Sequence, residues 1–292
     1  MSVPLIGYGF AHWDGAFRAR AVSDVLMLCV AWALLHAGTL WLNAVLDGDD
    51  GEVLWGGSGT APRGTTAIAL VALGLAVGFA MAAGTVAGWC TALCALLAVL
   101  YSHPTTAWKG HPVMGLAVNV VGYGALSVIA GWSLPQVTLT LRGVGSLLAL
   151  MVWVAGATLL AQAFQEDADR ARGYRTPVVL WGAEKTANVS RALFALGTLS
   201  LLLFTAIGWY PRIVLLCAPV WLWVDSQLAA RPVSSEWAST GFRRVCLFGL
   251  MVLATVLAAH LVSLASDGPT AGLDTARGWP ADRVWVRERR MQ

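Results

Sequence analysis

Seven of the 16 acidic residues of this chain fall in two short segments. Asp47, Asp49, Asp50 and Glu52 lie in "LNAVLDGDDGEVLWGG" (42–57), and Glu166, Asp167 and Asp169 lie in "QEDADRARGYRTPVVLWG" (165–182). Solvated acids are ordinarily dispersed, so two such clusters in a chain only 12% charged call for a cause. On a helix, His36, Asn43, Asp47 and Asp50 share one face, because intervals of 7, 4 and 3 stay close to the 3.6-residue period. Gly48 and Gly51 favour fraying, which makes Asp47 the firmer member and Asp50 the weaker. Gln162, Gln165 and Asp169 recur at the same spacing, with Glu166 beside them. Carboxylate and amide oxygens grouped in this way suit Mg²⁺, a hard ion that pairs one or two carboxylates with substrate phosphates. Lys109, Arg170, Arg172 and Arg175 are the cations available to phosphate oxygens. A solvated acidic turn would account for either segment alone; both segments together, with cations beside them, point to magnesium and a diphosphate.

The elements that must position these residues are hydrophobic. The chain has 292 residues, 58% of them apolar, a mean hydropathy of +0.68 and 15 tryptophans. Soluble domains run near about 45–50% apolar and about 25% charged, which excludes that class. Eight stretches approach the roughly 20 residues needed to cross a bilayer: 21–43, 66–83, 85–101, 113–132, 143–164, 189–208, 211–228 and 244–265. In lipid each must satisfy its own backbone, so the fold class is all-α, a polytopic membrane helix bundle. Gly74-x-x-x-Gly78 and Gly84-x-x-x-Gly88 have the spacing of close helix packing. Most Trp, Met and Gly are read as packing and interfacial anchors. Cys29, Cys90, Cys94, Cys217 and Cys246 all fall in apolar spans without a C-x-x-C pair, as buried small hydrophobes do. The net charge of +3 gives no reason to expect nucleic acid as a partner.

Two spans separate each of the polar segments 44–65, 102–112, 165–188 and 229–243 from the next, so all four share a side. With the residues at their edges they hold 10 of the 19 Lys and Arg residues, against four in the opposite segments. The positive-inside rule then places them in the cytoplasm, in an integral protein of the cell (inner) membrane. Five arginines in the tail weigh against this without reversing it. Within the spans, His36 and Asn119 are polar groups of the kind that are costly in lipid and often functional. Asn119, Tyr123 and Ser127 share a helix face that could line an acceptor site; interhelical hydrogen bonding explains each equally well.

These motifs resemble the intramembrane prenyltransferases of the UbiA superfamily. "LNAVLDGDDG" is similar to the first aspartate motif, N-D-x-x-D-x-x-x-D; "QEDADRARGYRTPVVLWG" resembles the second, in which D-R-x-x-G-x-x-T precedes a short apolar run ending in Gly. "YSHPTTAWKGHP" (101–112) resembles the loop between them, which carries a Tyr and a phosphate-directed Lys. The order and separations agree across roughly 21–264. Residue by residue, Asn43 and Asp47 match the first motif, Tyr101 and Lys109 the loop, and Asp169, Arg170, Gly173 and Thr176 the second motif and the run that follows. Ala44 stands where an Asp often follows the Asn, Gly51 stands where the last Asp of the motif falls, and Gln165 opens the second motif in place of Asp. Some branches of the family read "N…D-x-D-E-G" and "Q-x-x-x-D", and this chain resembles such a branch variant.

The resemblance implies a nine-helix bundle, Mg²⁺ as cofactor, and transfer of a polyprenyl group from its diphosphate to a lipophilic acceptor inside membrane lipid. Asp47 and Asp169 are then the expected primary metal ligands, completed by Asp50 or Glu52 and by Gln165. Lys109 and the arginines steady the departing charge, while Asn43, Tyr101, Asn119, Tyr123 and His36 line the substrate. The expected domains are 1–20, a curtailed first helix and loop; 21–265, the transmembrane transferase; and 266–292, a polar tail. Only "MSVPLIGYGFAHWDG" precedes the span at 21–43, so an upstream start that adds an apolar segment is expected. Two alternatives stand beside this reading: an ion-coupled transporter with an acidic vestibule, and a family member that transfers a phosphorylated sugar to a polyprenyl phosphate.

Overall fold

A computed structural model describes residues 2–11, 19–47, 62–134, 141–163 and 165–204, with single helical positions at 254 and 258. The expected span at 211–228, nearly all of that at 244–265, the loop at 229–243 and the polar tail lie outside the described residues. A short helix, α1 (Ser2–Ala11), precedes α2 (Ala19–Asp47), α3 (Thr65–Ala83) and α4 (Thr85–Ser102). A 3₁₀ turn at Trp108–Gly110 follows. Then α5 (Met114–Asn119) continues through a wider π-type turn (Val120–Leu126) into α6 (Ser127–Ser133). Last come α7 (Leu141–Ala163), α8 (Glu166–Ala171), α9 (Pro177–Trp181) and α10 (Ala183–Phe204). No strand occurs among the described residues. Among the described residues, six segments are long and apolar enough to cross a membrane: Ser23–Leu46, Thr65–Ala83, Thr85–Ser102, Met114–Ser133, Gly143–Ala163 and Ala183–Leu203. They coincide with the first six of the expected spans. The fold is an all-α, polytopic membrane bundle.

Small residues let these helices approach. Ala69, Leu73, Ala76 and Ala80 of α3 close on Leu28, Ala31, Trp32 and Leu35 of α2 to form the main buried cluster. Gly38 of α2 sits where a methyl group would lie 2.9 Å from the Ala69 carbonyl oxygen. Gly156 and Gly197 do the same between α7 and α10, where Ser190 Oγ donates to the Gly156 carbonyl at 2.7 Å. Gly7 and Gly131 bring α1 against α6 at a spacing that leaves no room for a side chain. Gly88 is likewise pressed against Met81, so Gly84-x-x-x-Gly88 includes a true packing site. Gly74 and Gly78 differ: a methyl group at either would meet no described atom. They lie on an outer stretch of α3 with exposed Leu70, Val71 and Leu75, the kind of surface lipid covers.

Two boundaries depart from the periodic reading. α10 starts at Ala183, six residues before the expected span, because Glu166 Oε2 accepts the Ala183 N–H at 3.0 Å and caps a polar first turn. The Gln162–Gln165–Asp169 face is not one helix. α7 ends at Ala163 and α8 begins at Glu166, with Gln165 in a non-helical conformation between them (φ −111°, ψ 12°). As expected, α2 does run on past residue 43, to Asp47.

Candidate active site

The polar ends of α2, α4, α5, α7 and α8 meet at one end of the bundle. Thr176 starts this arrangement: it precedes Pro177, which forces it extended (φ −63°, ψ 161°) and turns the chain back over α8. There Thr176 Oγ1 donates to Asp169 Oδ2 at 2.6 Å, and the Tyr174 N–H donates to the Asp169 carbonyl at 2.9 Å. Gly173, with φ 72°, supplies the left-handed residue that this return needs. The Arg175 N–H then donates to the Gly110 carbonyl at 2.8 Å, and the Tyr174 ring lies over Gly110 so closely that a methyl group there would sit 2.6 Å from the ring edge. These contacts tie the 3₁₀ turn to the second acidic segment. Ala107 enters that turn with φ 41°, a backbone that alanine rarely takes. Lys109 is the residue so placed.

Asp169 is 5% exposed and Lys109 9%. Burial holds the Asp169 carboxyl above the usual carboxylate range, against the pull of the Thr176 hydroxyl, Arg172 and Lys109. Burial also lowers the Lys109 ammonium to about 8, helped by the like charge of Arg172 and opposed by Asp169. One buried ammonium and one exposed guanidinium thus act on a single buried carboxylate. Gln162 Oε1, buried at the end of α7, has no partner among the described residues. Oxygen donors of this kind, with no thiolate or imidazole among them, suit a hard divalent cation and its phosphate oxygens. No cluster of three or more His, Cys, Asp or Glu occurs among the described residues. Asp47 ends α2, but its side chain, Asp50 and Glu52 lie outside what is described, and so does most of the first acidic segment.

Next to this end lies a cavity of about 200 Å³ between α2, α4 and the helix Met114–Ser133. Asn43, Tyr101, Ser102, Asn119 and Tyr123 give it polar edges; Trp32, Leu35, Leu40, Leu97 and Val118 give it apolar walls. Ser102 Oγ donates to Asn43 Oδ1 at 3.0 Å, and the Asn119 side chain lies against Tyr101, whose hydroxyl is within electrostatic reach of Asp169. Asn43, Tyr101, Asn119 and Tyr123 therefore border one cavity. His36 joins them through Tyr123: its Nδ1 is 3.3 Å from the hydroxyl. Ser127 does not, since its hydroxyl donates to the Tyr123 carbonyl. Arg170 is bound to Glu166 at 2.7 Å on an exposed surface and stands off the site, and Arg172 and Arg175 are exposed on its rim. Gln165 caps α8 at the site's edge. Ser102, Tyr174 and Gly110 had no site role in the sequence reading; Thr176 entered it only as a match to the run after the second motif.

Comparison with known proteins agrees with this fold. A UbiA homologue from Archaeoglobus fulgidus bound to GPP and Mg²⁺ has the same fold, with a TM-score of 0.66 at 16% identity over 88% of this chain and 93% of that one. The same homologue bound to DMAPP and Mg²⁺ gives 0.66 at 15% identity, over 89% and 94%. A structure of digeranylgeranylglyceryl phosphate synthase in membranes gives 0.60 at 14% identity, over 88% and 91%. No curated protein matches the chain. At these identities the likenesses carry the fold alone. The family profile described as UbiA prenyltransferase matches residues 3–248, through both acidic segments and the lysine loop. On that match, the chain belongs to the UbiA prenyltransferase family.

Proposed function

We propose that this prenyltransferase moves a polyprenyl group from its diphosphate to a lipophilic acceptor within the membrane, with Mg²⁺ held at the Asp47 and Asp169 helix ends. The observation that carries this reading is the buried Asp169 carboxylate, held by Thr176, with the buried Lys109 within its electrostatic reach and the turn that carries Lys109 held by Tyr174, beside a cavity among the spans. Lys109 and Arg172 are placed to attract a diphosphate and to steady charge that grows on its bridging oxygen. When bound, Mg²⁺ supplies a Lewis acid that makes diphosphate a better leaving group. Asn43, fixed by Ser102, and Tyr101 border the passage between that end and the cavity. Trp32, Leu35 and Leu40 keep water from the reacting carbon. Mg²⁺ and GPP bound to the homologue support the same donor class here. The transporter alternative falls with the family assignment. Sidedness follows the basic loops, which we place in the cytoplasm at the inner membrane.

The test is incubation of the purified protein with a labelled polyprenyl diphosphate and membrane lipid, with and without Mg²⁺. The expected result is Mg²⁺-dependent release of diphosphate and a new prenylated lipid. A polyprenyl phosphate that gains a sugar phosphate, with the donor diphosphate untouched, would instead favour the sugar-transferring alternative.

A further inference from the structure

Release of diphosphate is half of a prenyl transfer; a proton must also leave the acceptor. Tyr123 stands on the π-type turn and lines the cavity. Its hydroxyl is 3.3 Å from His36 Nδ1, and the two rings stack with centroids 5.4 Å apart and planes 8° from parallel. Trp32, one turn earlier on α2, meets His36 edge-on with ring centroids 5.9 Å apart. A histidine at this depth is costly in lipid, and polar groups kept there tend to carry function. With the imidazole proton on Nε2, the Tyr123 O–H donates to Nδ1. A phenol held in this way can accept a proton from a molecule in the cavity while passing its own to the imidazole. Among the described residues, the other titratable groups near Tyr123 are Cys94 and Tyr101 on the same cavity wall. Neither residue type is ordinarily a proton acceptor at neutral pH, whereas imidazole is.

We propose that Tyr123 and His36 form a proton relay that takes up the proton lost by the acceptor. This rests on the transferase reading given above. In the step, the donor C1–O bond breaks and its electron pair leaves with diphosphate. An electron pair of the acceptor forms the new bond to C1. The acceptor's proton passes to the Tyr123 oxygen as the phenol proton moves to His36 Nδ1, and the imidazolium later returns it to water. Tyr123, which touches the acceptor, is the catalytic residue; His36 acts through it as the positioning residue and proton store.

The experiment compares the full-length protein with Tyr123→Phe and His36→Gln, at matched thermal stability. Each is given radiolabelled geranyl diphosphate, Mg²⁺ and one of three probes: a long-chain alcohol, an alkylphenol or an alkylhydroquinone. Glutamine can accept the Tyr123 hydrogen bond but not its proton, so it separates a relay from mere support. Both variants are expected to lose prenylation by about 10²-fold, the scale of general-base catalysis, while diphosphate release falls less and the ratio of release to prenylation rises at least about tenfold. Wild-type coupling in His36→Gln would overturn the relay, and so would an equal fall in both quantities. Wild-type protein that releases diphosphate yet prenylates none of the probes would overturn a relay that serves such acceptors and leave the transferase reading intact. Wild-type protein that releases no diphosphate would overturn both.

Discussion

Lys109 and Asp169 face opposite demands from the same burial, and their titration sets limits on the reaction. Lys109 is protonated below about 8 and loses its charge above it. The free protein's grip on a diphosphate should therefore weaken as pH rises through that value, as a falling kcat/KM for the donor, the quantity that reports free-protein groups. Lys109→Arg, which stays protonated, should abolish that limb. Asp169, held above the usual carboxylate range, should produce the acid limb at a higher pH than an ordinary aspartate would. The Thr176 hydroxyl opposes that rise, and a hydrogen bond to a charged group is worth about 1.5–3 kcal/mol. Thr176→Val is expected to raise the Mg²⁺ concentration for half-maximal turnover about tenfold or more, and Thr176→Ser to restore it. The charged members were legible in the sequence because charge is scarce in this chain. Of their neutral partners, Thr176 was legible only as the end of the second motif, and Ser102 not at all, because it lies 59 positions from Asn43, an interval that carries no periodic signal.

Among the elements, helix existence was easier to read than helix contact. Six spans agreed with hydropathy because each must satisfy its backbone alone in lipid. Which glycine faces a neighbour depends on rotation about the helix axis, and a low-contrast apolar sequence does not specify it. Gly38→Leu should lower the melting temperature in detergent, since overpacking costs about 1–3 kcal/mol, while Gly74→Leu should leave it near wild type. The break at Gln165 and the polar first turn of α10 were hidden for a different reason: Glu166, read as a flank of the metal site, is spent on capping α10 and pairing with Arg170. Gly110→Ala tests how the 3₁₀ turn is held. A methyl group against Tyr174 should displace Lys109 and lower kcat/KM for the donor by about tenfold or more, a cost in keeping with small misplacements of a reacting group.

At the scale of the whole molecule, the ends of α2 and α4 meet where Ser102 bonds Asn43, and the turn at Trp108–Gly110 meets the segment after α8 where the Arg175 N–H bonds the Gly110 carbonyl. In a Cys-free variant, a cysteine at Gly57 and another at Ser133 should react from opposite faces of the membrane; reaction from one face would contradict the parity. The central claim is that the two acidic helix ends hold one Mg²⁺–diphosphate complex above an apolar cavity. Its most direct test is Mg²⁺-dependent turnover of a polyprenyl diphosphate by wild type, Asp47→Asn and Asp169→Asn at matched thermal stability. Each variant is expected to lose at least about 10²-fold, the scale on which removal of a single charge-stabilising group acts. Wild-type turnover in either variant, or turnover by the wild type without any divalent cation, would contradict it.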